Sequence, residues 1–112
     1  MKIEERMQDG ILVYALNGKI MGGEPASLFR GKVVESLQAG HKNIIIDLKD
    51  VDWMNSIGLG MLVSILNTIT SEGGKLKLAN IDNIKKVLLI TKLVTIFDHH
   101  DSVDAAIASF RK

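Results

Sequence analysis

The stretch NIIIDLKDVDWMNSIGLGMLVSIL (residues 43–66) contains the features that decide the fold. It opens with three consecutive isoleucines, and a short β-branched run without alternation predicts a central strand, over residues 42–48, that is covered on both faces. It closes with an apolar run that predicts a helix from about Ser56 to Thr70. A buried strand is therefore followed almost directly by a buried helix.

The flanking sequence alternates strands and helices in the same way. Strands are predicted at residues 2–8, 10–18, 75–80 and, as an edge strand, 94–97. The sequence Gln8-Asp9-Gly10 is predicted to join the first two strands as a hairpin. Helices are predicted from Pro25 to about residue 37, over residues 81–90, and from an N-cap at Asp101 or Ser102 to the end. This order predicts a single α/β domain (residues 1–112) with a mixed, mostly parallel sheet of four to five strands. About four helices are expected, mainly on one face of the sheet.

The composition excludes several classes of function. The chain has 112 residues, a net charge of +1 and no cysteine. The balanced charge gives no case for nucleic-acid or membrane partners, and the missing thiols exclude disulfides, thiolate catalysis and cysteine-ligated zinc. The polar start does not resemble a signal peptide. We expect a cytoplasmic protein without cofactor or metal, and a monomer by default.

Ser56 has two interpretations at the start of its helix. Its hydroxyl is placed to cap the helix by accepting a bond from the amide of Gly58 or Leu59. Alternatively, since a helix N-terminus tolerates an anion, Ser56 is a phosphorylation site where the new charge repels a partner. Gly58 and Gly60 either allow close packing on the sheet or let a partner approach the first turn. An apolar patch beside Ser56 would mark a docking surface.

Three further features have a structural and a functional interpretation. Trp53 is expected to plug the core beneath the loop, or else to place its edge on the docking surface. His99 and His100, between Asp98 and Asp101, are expected in a solvated loop rather than a metal site. Three aspartates follow the central strand, Asp47, Asp50 and Asp52, and they are expected to form turns. The enzyme alternative is that they bind magnesium in a small receiver-like phosphoryl-transfer domain.

The central stretch resembles the signature of the STAS domain, found in bacterial anti-sigma factor antagonists. In that family an apolar strand ends in Asp-Leu, here Asp47-Leu48, and leads through a short connector to Met-Asp-Ser-x-Gly-Leu-Gly, here residues 54–60. The family strand Gly-Gly-x-Leu-x-Leu matches residues 73–78, and a family turn matches residues 15–20 in altered form. Asn55 stands where aspartate is usual, and Lys19 where glutamate is usual. The resemblance spans nearly the whole chain.

The resemblance implies a regulatory binding module and not an enzyme. Members bind an anti-sigma factor that is also a serine kinase, the kinase phosphorylates the motif serine, here Ser56, and a phosphatase resets the complex. The residues expected to contact the partner are Met54, Asn55, Ile57, Gly58, Leu59, Gly60, Gly18 and Ile20. STAS domains also serve in stress-sensing and lipid-transport assemblies, so a subunit of such an assembly without a phosphoswitch is the alternative.

Overall fold

The structure is a computed structural model that describes residues 1–111 and confirms the predicted α/β domain. Five strands alternate with four α-helices after an initial hairpin within these residues, and two 3₁₀ turns (Ile81–Ile84 and Leu93–Thr95) flank the third helix. The strands are β1 (Lys2–Gln8), β2 (Ile11–Ile20), β3 (Asn43–Met54), β4 (Lys75–Ala79) and β5 (Asp98–His100). The helices are α1 (Glu24–Gln38), α2 (Ser56–Ser71), α3 (Lys85–Ile90) and α4 (Val103–Phe110).

The sheet has the strand order β1-β2-β3-β4-β5. Only β1 and β2 are antiparallel, and every other neighbouring pair is parallel. Asp9 and Gly10 have φ angles of 54° and 78°, which is the left-handed backbone of a two-residue hairpin turn. The predicted hairpin and the mostly parallel sheet are therefore confirmed.

Strand β3 continues past the predicted end at Leu48 to Met54, and this part of the strand contains two bulges. Its pairing with β2 slips once between Ala15 and Asn17 and again between Gly18 and Lys19. At each slip β3 carries one extra residue, which bends a strand and turns the following side chains to the other face. The apolar residues that face the same core cluster consequently change from every second position to every third: Ile44, Ile46, Leu48, Val51 and Met54.

The helices lie mainly on one face of the sheet, as predicted. The larger core cluster joins one side of the sheet to α1, α2 and α3, and its fully buried helical members are Phe29, Val33, Leu62, Ile65, Ile69 and Leu88. Helix α4 covers the opposite face with Val103, Ala106 and Ile107. Strand β3 is covered on both sides, because Ile45 contacts the α4 cluster while its two neighbours contact the larger one.

The predicted edge strand over residues 94–97 is wrong, and residues 98–100, which were expected in a solvated loop, form a strand. Residues Leu93–Thr95 form a 3₁₀ turn, and the edge strand is β5 instead. Asp98 lies opposite Lys77 in the β4–β5 register, and its carboxylate is 2.6 Å from the Lys77 Nζ atom. The preceding residues have the higher β-propensity. The cross-strand ion pair and the burial of the Phe97 ring nevertheless favour residues 98–100 as the edge strand.

The remaining helix predictions are largely confirmed. The helix predicted over residues 81–90 begins as a 3₁₀ turn and becomes α-helical only at Lys85. Ser102, one of two predicted caps, accepts a hydrogen bond from the amide of Ala105 at 3.0 Å. Within residues 1–111 no helix combines the length and apolar character needed to cross a membrane.

Candidate functional site

Ser56 is the first residue of α2, directly after the end of β3, and it is exposed. The first amides of a helix have no acceptor within it, so this end of α2 carries a positive partial charge. The hydroxyl therefore lies on the surface at a position that favours negative charge.

Asn55, not Ser56, caps the helix. Asn55 has extended backbone angles (φ −96°, ψ 179°), and its side-chain oxygen accepts a hydrogen bond from the Gly58 amide at 2.8 Å. Its carbonyl accepts the first helical bond, from the amide of Leu59 at 2.9 Å. The prediction that Ser56 is the N-cap is therefore wrong by one residue, because the extended backbone required of a cap ends at Asn55.

Asn55 also fixes the start of α2 to the end of β2. Its backbone amide donates to the Ile20 carbonyl at 3.2 Å, and its side-chain NH₂ donates to the Met21 carbonyl at 3.3 Å. A carboxylate accepts hydrogen bonds but donates none when ionised. The amide side chain thus performs two tasks, capping and bridging, of which aspartate could perform only the first.

The two glycines of the motif have different surroundings. A methyl group at Gly58 would lie 2.3 Å from the carbonyl oxygen of Ile20, so this glycine permits close contact between helix and strand. Gly60 is exposed, and a methyl group there would meet nothing within 4 Å. Close packing therefore explains Gly58, whereas Gly60 leaves open surface on the first turn of α2.

Three large apolar side chains close to Ser56 along the chain or at the adjoining end of β2 are exposed. Ile57 is 65% exposed, Met21 53% and Trp53 47%. The prediction that Trp53 plugs the core is wrong, because the second bulge of β3 turns Met54 inward and leaves Trp53 outside. We call Ser56 with Met21, Trp53 and Ile57 the Ser56 face. Met21 was not among the residues expected to contact the partner, because its exposure depends on where β2 ends, which is at Ile20.

Contacts and grooves connect the members of this face. A methyl group on Gly22 would lie 2.3 Å from the Cγ2 atom of Ile57, so Ile57 rests on the chain next to Met21. A shallow groove of about 220 Å³ begins at Ile57 and runs between α1 and α2; it is lined by Gly22, Gly23, Ala26, Ser27, Arg30, Ile57, Met61 and Ser64. A second groove, of about 350 Å³, is lined by Lys19, Met21, Asp52 and Trp53.

The other predicted contact residues lie beneath or beside this face. Ile20, Met54 and Leu59 are each at most 3% exposed. Gly18 is half-buried in β2, with a φ of 95° that favours glycine. In this conformation the three buried side chains support the surface, and Gly58 is buried as well. The accessible members of the predicted contact set are Asn55, Ile57, Gly60 and Gly18, beside the predicted phosphorylation site.

The three aspartates of the enzyme alternative do not gather into a metal site. The Asp47 carboxylate accepts hydrogen bonds from the Lys49 amide at 3.0 Å and from the Asn80 side chain at 2.9 Å. Over the described residues 1–111, no three His, Cys, Asp or Glu side chains are grouped so that they could hold a metal ion. All three aspartates lie within β3 (Asn43–Met54) and not in a loop, so the prediction that they form turns is wrong. The bonds of Asp47 hold the backbone at the first bulge and the side chain of Asn80, and this arrangement does not favour the receiver-like interpretation.

The histidine-containing segment belongs to a polar cluster on the α4 side. The Asp98 carboxylate lies 2.6 Å from Lys77 Nζ and 2.8 Å from His100 Nε2, and the Lys77 ammonium lies 4.8 Å from the centre of the Phe110 ring. Desolvation alone would raise the pKa of Asp98, but the hydrogen bond and charge of Lys77, aided by His100, hold it below its usual value. The cluster attaches β5 to β4.

Comparison with known proteins gives consistent matches over nearly the full chain. The family model described as the STAS domain matches residues 2–106. A Thermotoga maritima protein assigned as an anti-sigma factor antagonist is 32% identical over 103 residues, which cover 90% of this chain and 91% of the relative.

Solved structures with the same assignment share the fold. A Thermotoga maritima anti-sigma factor antagonist superposes with a TM-score of 0.87 at 28% identity, covering 98% of this chain and 95% of that one. The Bacillus cell fate determinant SpoIIAA, solved in its phosphorylated form, has a TM-score of 0.73 at 19% identity, covering 97% and 99%. The latter likeness shows the fold alone.

Proposed function

Since the chain belongs to the STAS domain family, we propose that it is an anti-sigma factor antagonist that binds an anti-sigma factor serine kinase and leaves it when Ser56 is phosphorylated. The assignment of the Thermotoga maritima relative supports the first part. The exposure of Ser56 at the first residue of α2 supports the second. In this proposal the protein acts in the bacterial cytoplasm, a phosphatase restores it, and it catalyses no reaction itself.

The observation that carries the proposal is the position of Ser56. Ser56 is exposed at the first residue of α2, its chain neighbours Trp53 and Ile57 carry exposed apolar side chains, and so does Met21, which follows the end of β2. Because Asn55 makes the capping bond, the Ser56 hydroxyl is not needed to hold the helix. A kinase can modify such a serine without first opening the fold.

The physical effect of a phosphate differs between the free protein and the complex. In the free protein the group adds a charge of about −1.5 to −2 at a helix N-terminus, where backbone amides and the helix dipole favour an anion. In the complex the same group would be desolvated against apolar surface, which is costly for an unpaired charge. Each loss of about 1.4 kcal/mol in binding reduces affinity tenfold, so the modification releases the partner without unfolding the chain.

The proposal is tested by incubating the protein with the anti-sigma factor kinase of its source organism and ATP, and then mapping the modified residue. We expect phosphate on Ser56 in the protein without substitutions, and no phosphate in the variant Ser56→Ala. The matched control is Ser71→Ala, because Ser71 is an exposed serine at the other end of the same helix, and this variant should be labelled like the unmodified protein. Labelling that persists in Ser56→Ala, or no labelling of a protein that binds the kinase, would overturn the phosphoswitch.

A further inference from the structure

The outer edge of β1 is unpaired. β1 is the terminal strand of the sheet formed by residues 1–111, and five of its seven residues are exposed. Gln8 and Ile11 close a two-residue hairpin turn, so they form a hydrogen-bonded pair, and such pairs alternate along an antiparallel ladder. The backbone groups of Ile3, Glu5 and Met7 consequently point away from β2, where another strand could pair with them.

The side chains of β1 are self-complementary in one antiparallel register. If Glu5 lies opposite Glu5 of a second copy, Glu4 lies opposite Arg6 in two symmetric pairs. The same register places Ile3 opposite Met7, again twice. Opposite charges and apolar pairs that face each other across strands stabilise a sheet. The single unfavourable pair is the central one between the two Glu5 side chains.

The neighbouring registers that preserve the hydrogen bonds are unfavourable. A shift in one direction places Glu4 opposite Glu4 and Lys2 opposite Arg6, and a shift in the other places Arg6 opposite Arg6. Like charges directly opposite each other destabilise strand pairing. Among these three registers, charge therefore favours the one centred on Glu5. The register centred on Ile3 also places Lys2 opposite Glu4 twice, but it pairs only three of the seven β1 residues with one another.

The two faces of the joined strands also fit this arrangement. Glu4 and Arg6 pair with Ala15 and Val13, on the α4 side of the sheet, where an exposed ion pair is solvated. Ile3 and Met7 lie on the α1 side, where β1 is flanked by two open grooves of about 260 and 460 Å³. Met7 is 51% exposed, and Leu28, at the rim of the smaller groove, is 60% exposed. A second copy would cover part of this apolar surface.

We propose that two copies of the chain associate through antiparallel pairing of their β1 strands, with Glu5 on the two-fold axis, to form one continuous ten-stranded sheet. Six backbone hydrogen bonds, two each for the pairs Ile3–Met7, Glu5–Glu5 and Met7–Ile3, join the copies. This contact is of the isologous kind found in two-fold symmetric dimers, and it replaces the monomer expected by default. It is independent of the Ser56 face and of any kinase.

The proposed dimer is tested by reversing the charges on β1 and then restoring the opposite-charge pairs. Sedimentation equilibrium over a concentration series measures the dimer dissociation constant of each variant. Arg6→Glu and Glu4→Arg each turn two opposite-charge pairs into two like-charge pairs, and each should weaken dimerisation roughly tenfold or more. The double variant Glu4→Arg/Arg6→Glu restores both pairs in reversed order, and its dissociation constant should return to within about threefold of the unmodified value. The far-ultraviolet circular dichroism of all four proteins should be the same.

Glu5→Gln provides a test in the opposite direction. It removes the central like-charge pair without changing the backbone bonds, and it should strengthen dimerisation by about two- to fivefold. The proposal is overturned if the unmodified protein stays at its monomer mass of 12.3 kDa at all accessible concentrations. It is equally overturned if a dimer forms whose affinity is the same in the charge-reversed and restored variants, since another surface would then hold it together.

Discussion

The side-chain oxygen of Asn55 accepts a hydrogen bond from the Gly58 amide at 2.8 Å, which makes Asn55 the cap of α2 and leaves the hydroxyl of its neighbour on the surface. The structural task and the proposed regulatory task therefore belong to adjacent residues. Ser56 can be modified or substituted without removing the bond that starts the helix. This separation allows the stability and the regulation of the protein to be examined independently.

Removing the cap should destabilise the protein, whereas removing the serine should not. Asn55→Ala loses the bond to Gly58 and the bridge to the Met21 carbonyl, and we expect a decrease of about 1 to 2 kcal/mol in the free energy of unfolding. Ser56→Ala should change it by less than about 0.5 kcal/mol. Urea denaturation measures both values. Equal losses for the two variants would contradict the assignment of the cap.

The two glycines of α2 should respond to alanine in opposite ways. Gly58→Ala places a methyl group 2.3 Å from the Ile20 carbonyl oxygen, and the strain should reduce stability by about 1 to 3 kcal/mol. Gly60→Ala meets nothing within 4 Å and should increase stability by about 0.5 to 1 kcal/mol through helix propensity. Thermal or urea unfolding of the two variants measures the difference. A stabilising Gly58→Ala would show that the helix does not approach β2 so closely.

The ion pair between β4 and β5 should contribute to stability only above acidic pH. Since the folded protein holds the pKa of Asp98 below its usual value, the carboxylate stabilises the fold at pH values above that usual pKa, and the contribution is lost as the pH falls through the lowered pKa. Near neutral pH the free energy of unfolding of the unsubstituted protein should be about 0.5 to 1 kcal/mol higher than that of Asp98→Asn. The difference is small because the carboxylate is half exposed and therefore screened by solvent. The free energies of unfolding of the two proteins should become equal at about pH 2. A difference that is constant from pH 7 to 2 would contradict this account.

The order of strands and helices could be predicted from the sequence because the apolar periods are local. The isoleucines of β3 and the apolar run of α2 are both largely buried in the core, as their local patterns predict. The exposure of Trp53 could not be predicted, because it depends on two bulges that exist only in the pairing of β3 with β2. A one-residue slip moves the side chains that follow it to the opposite face of the sheet. No local feature of the sequence marks the position of such a slip.

The errors at β5 and at the cap have similar non-local causes. Val94–Phe97 has the higher β-propensity, but the ion pair between Asp98 and Lys77 joins residues 21 positions apart in the sequence. Asn55 and Ser56 are both good capping residues. The choice between them is made by the bonds of Asn55 to the end of β2, and these bonds require knowledge of the folded chain.

The Ser56 face should contain the residues that bind the partner. Ile57→Ala removes an exposed side chain at its centre and should weaken binding of the kinase roughly tenfold, with a change in unfolding free energy below about 1 kcal/mol. The matched control is Ile90→Ala, because Ile90 is 71% exposed on α3 and lies outside this face. Isothermal titration calorimetry with the kinase measures the binding affinity of each variant, and urea denaturation measures its free energy of unfolding. If the two variants bind alike, the partner contacts another surface.

The most direct measurement compares the affinity of the kinase for the unmodified protein and for the same protein phosphorylated at Ser56, together with the thermal unfolding midpoint of each. The account predicts that affinity falls roughly 100-fold or more, since a desolvated dianion costs several kcal/mol. The two midpoints should agree within a few degrees, because the helix end accommodates the charge. Equal affinities would contradict the account, and so would an affinity loss accompanied by a large drop in the unfolding midpoint.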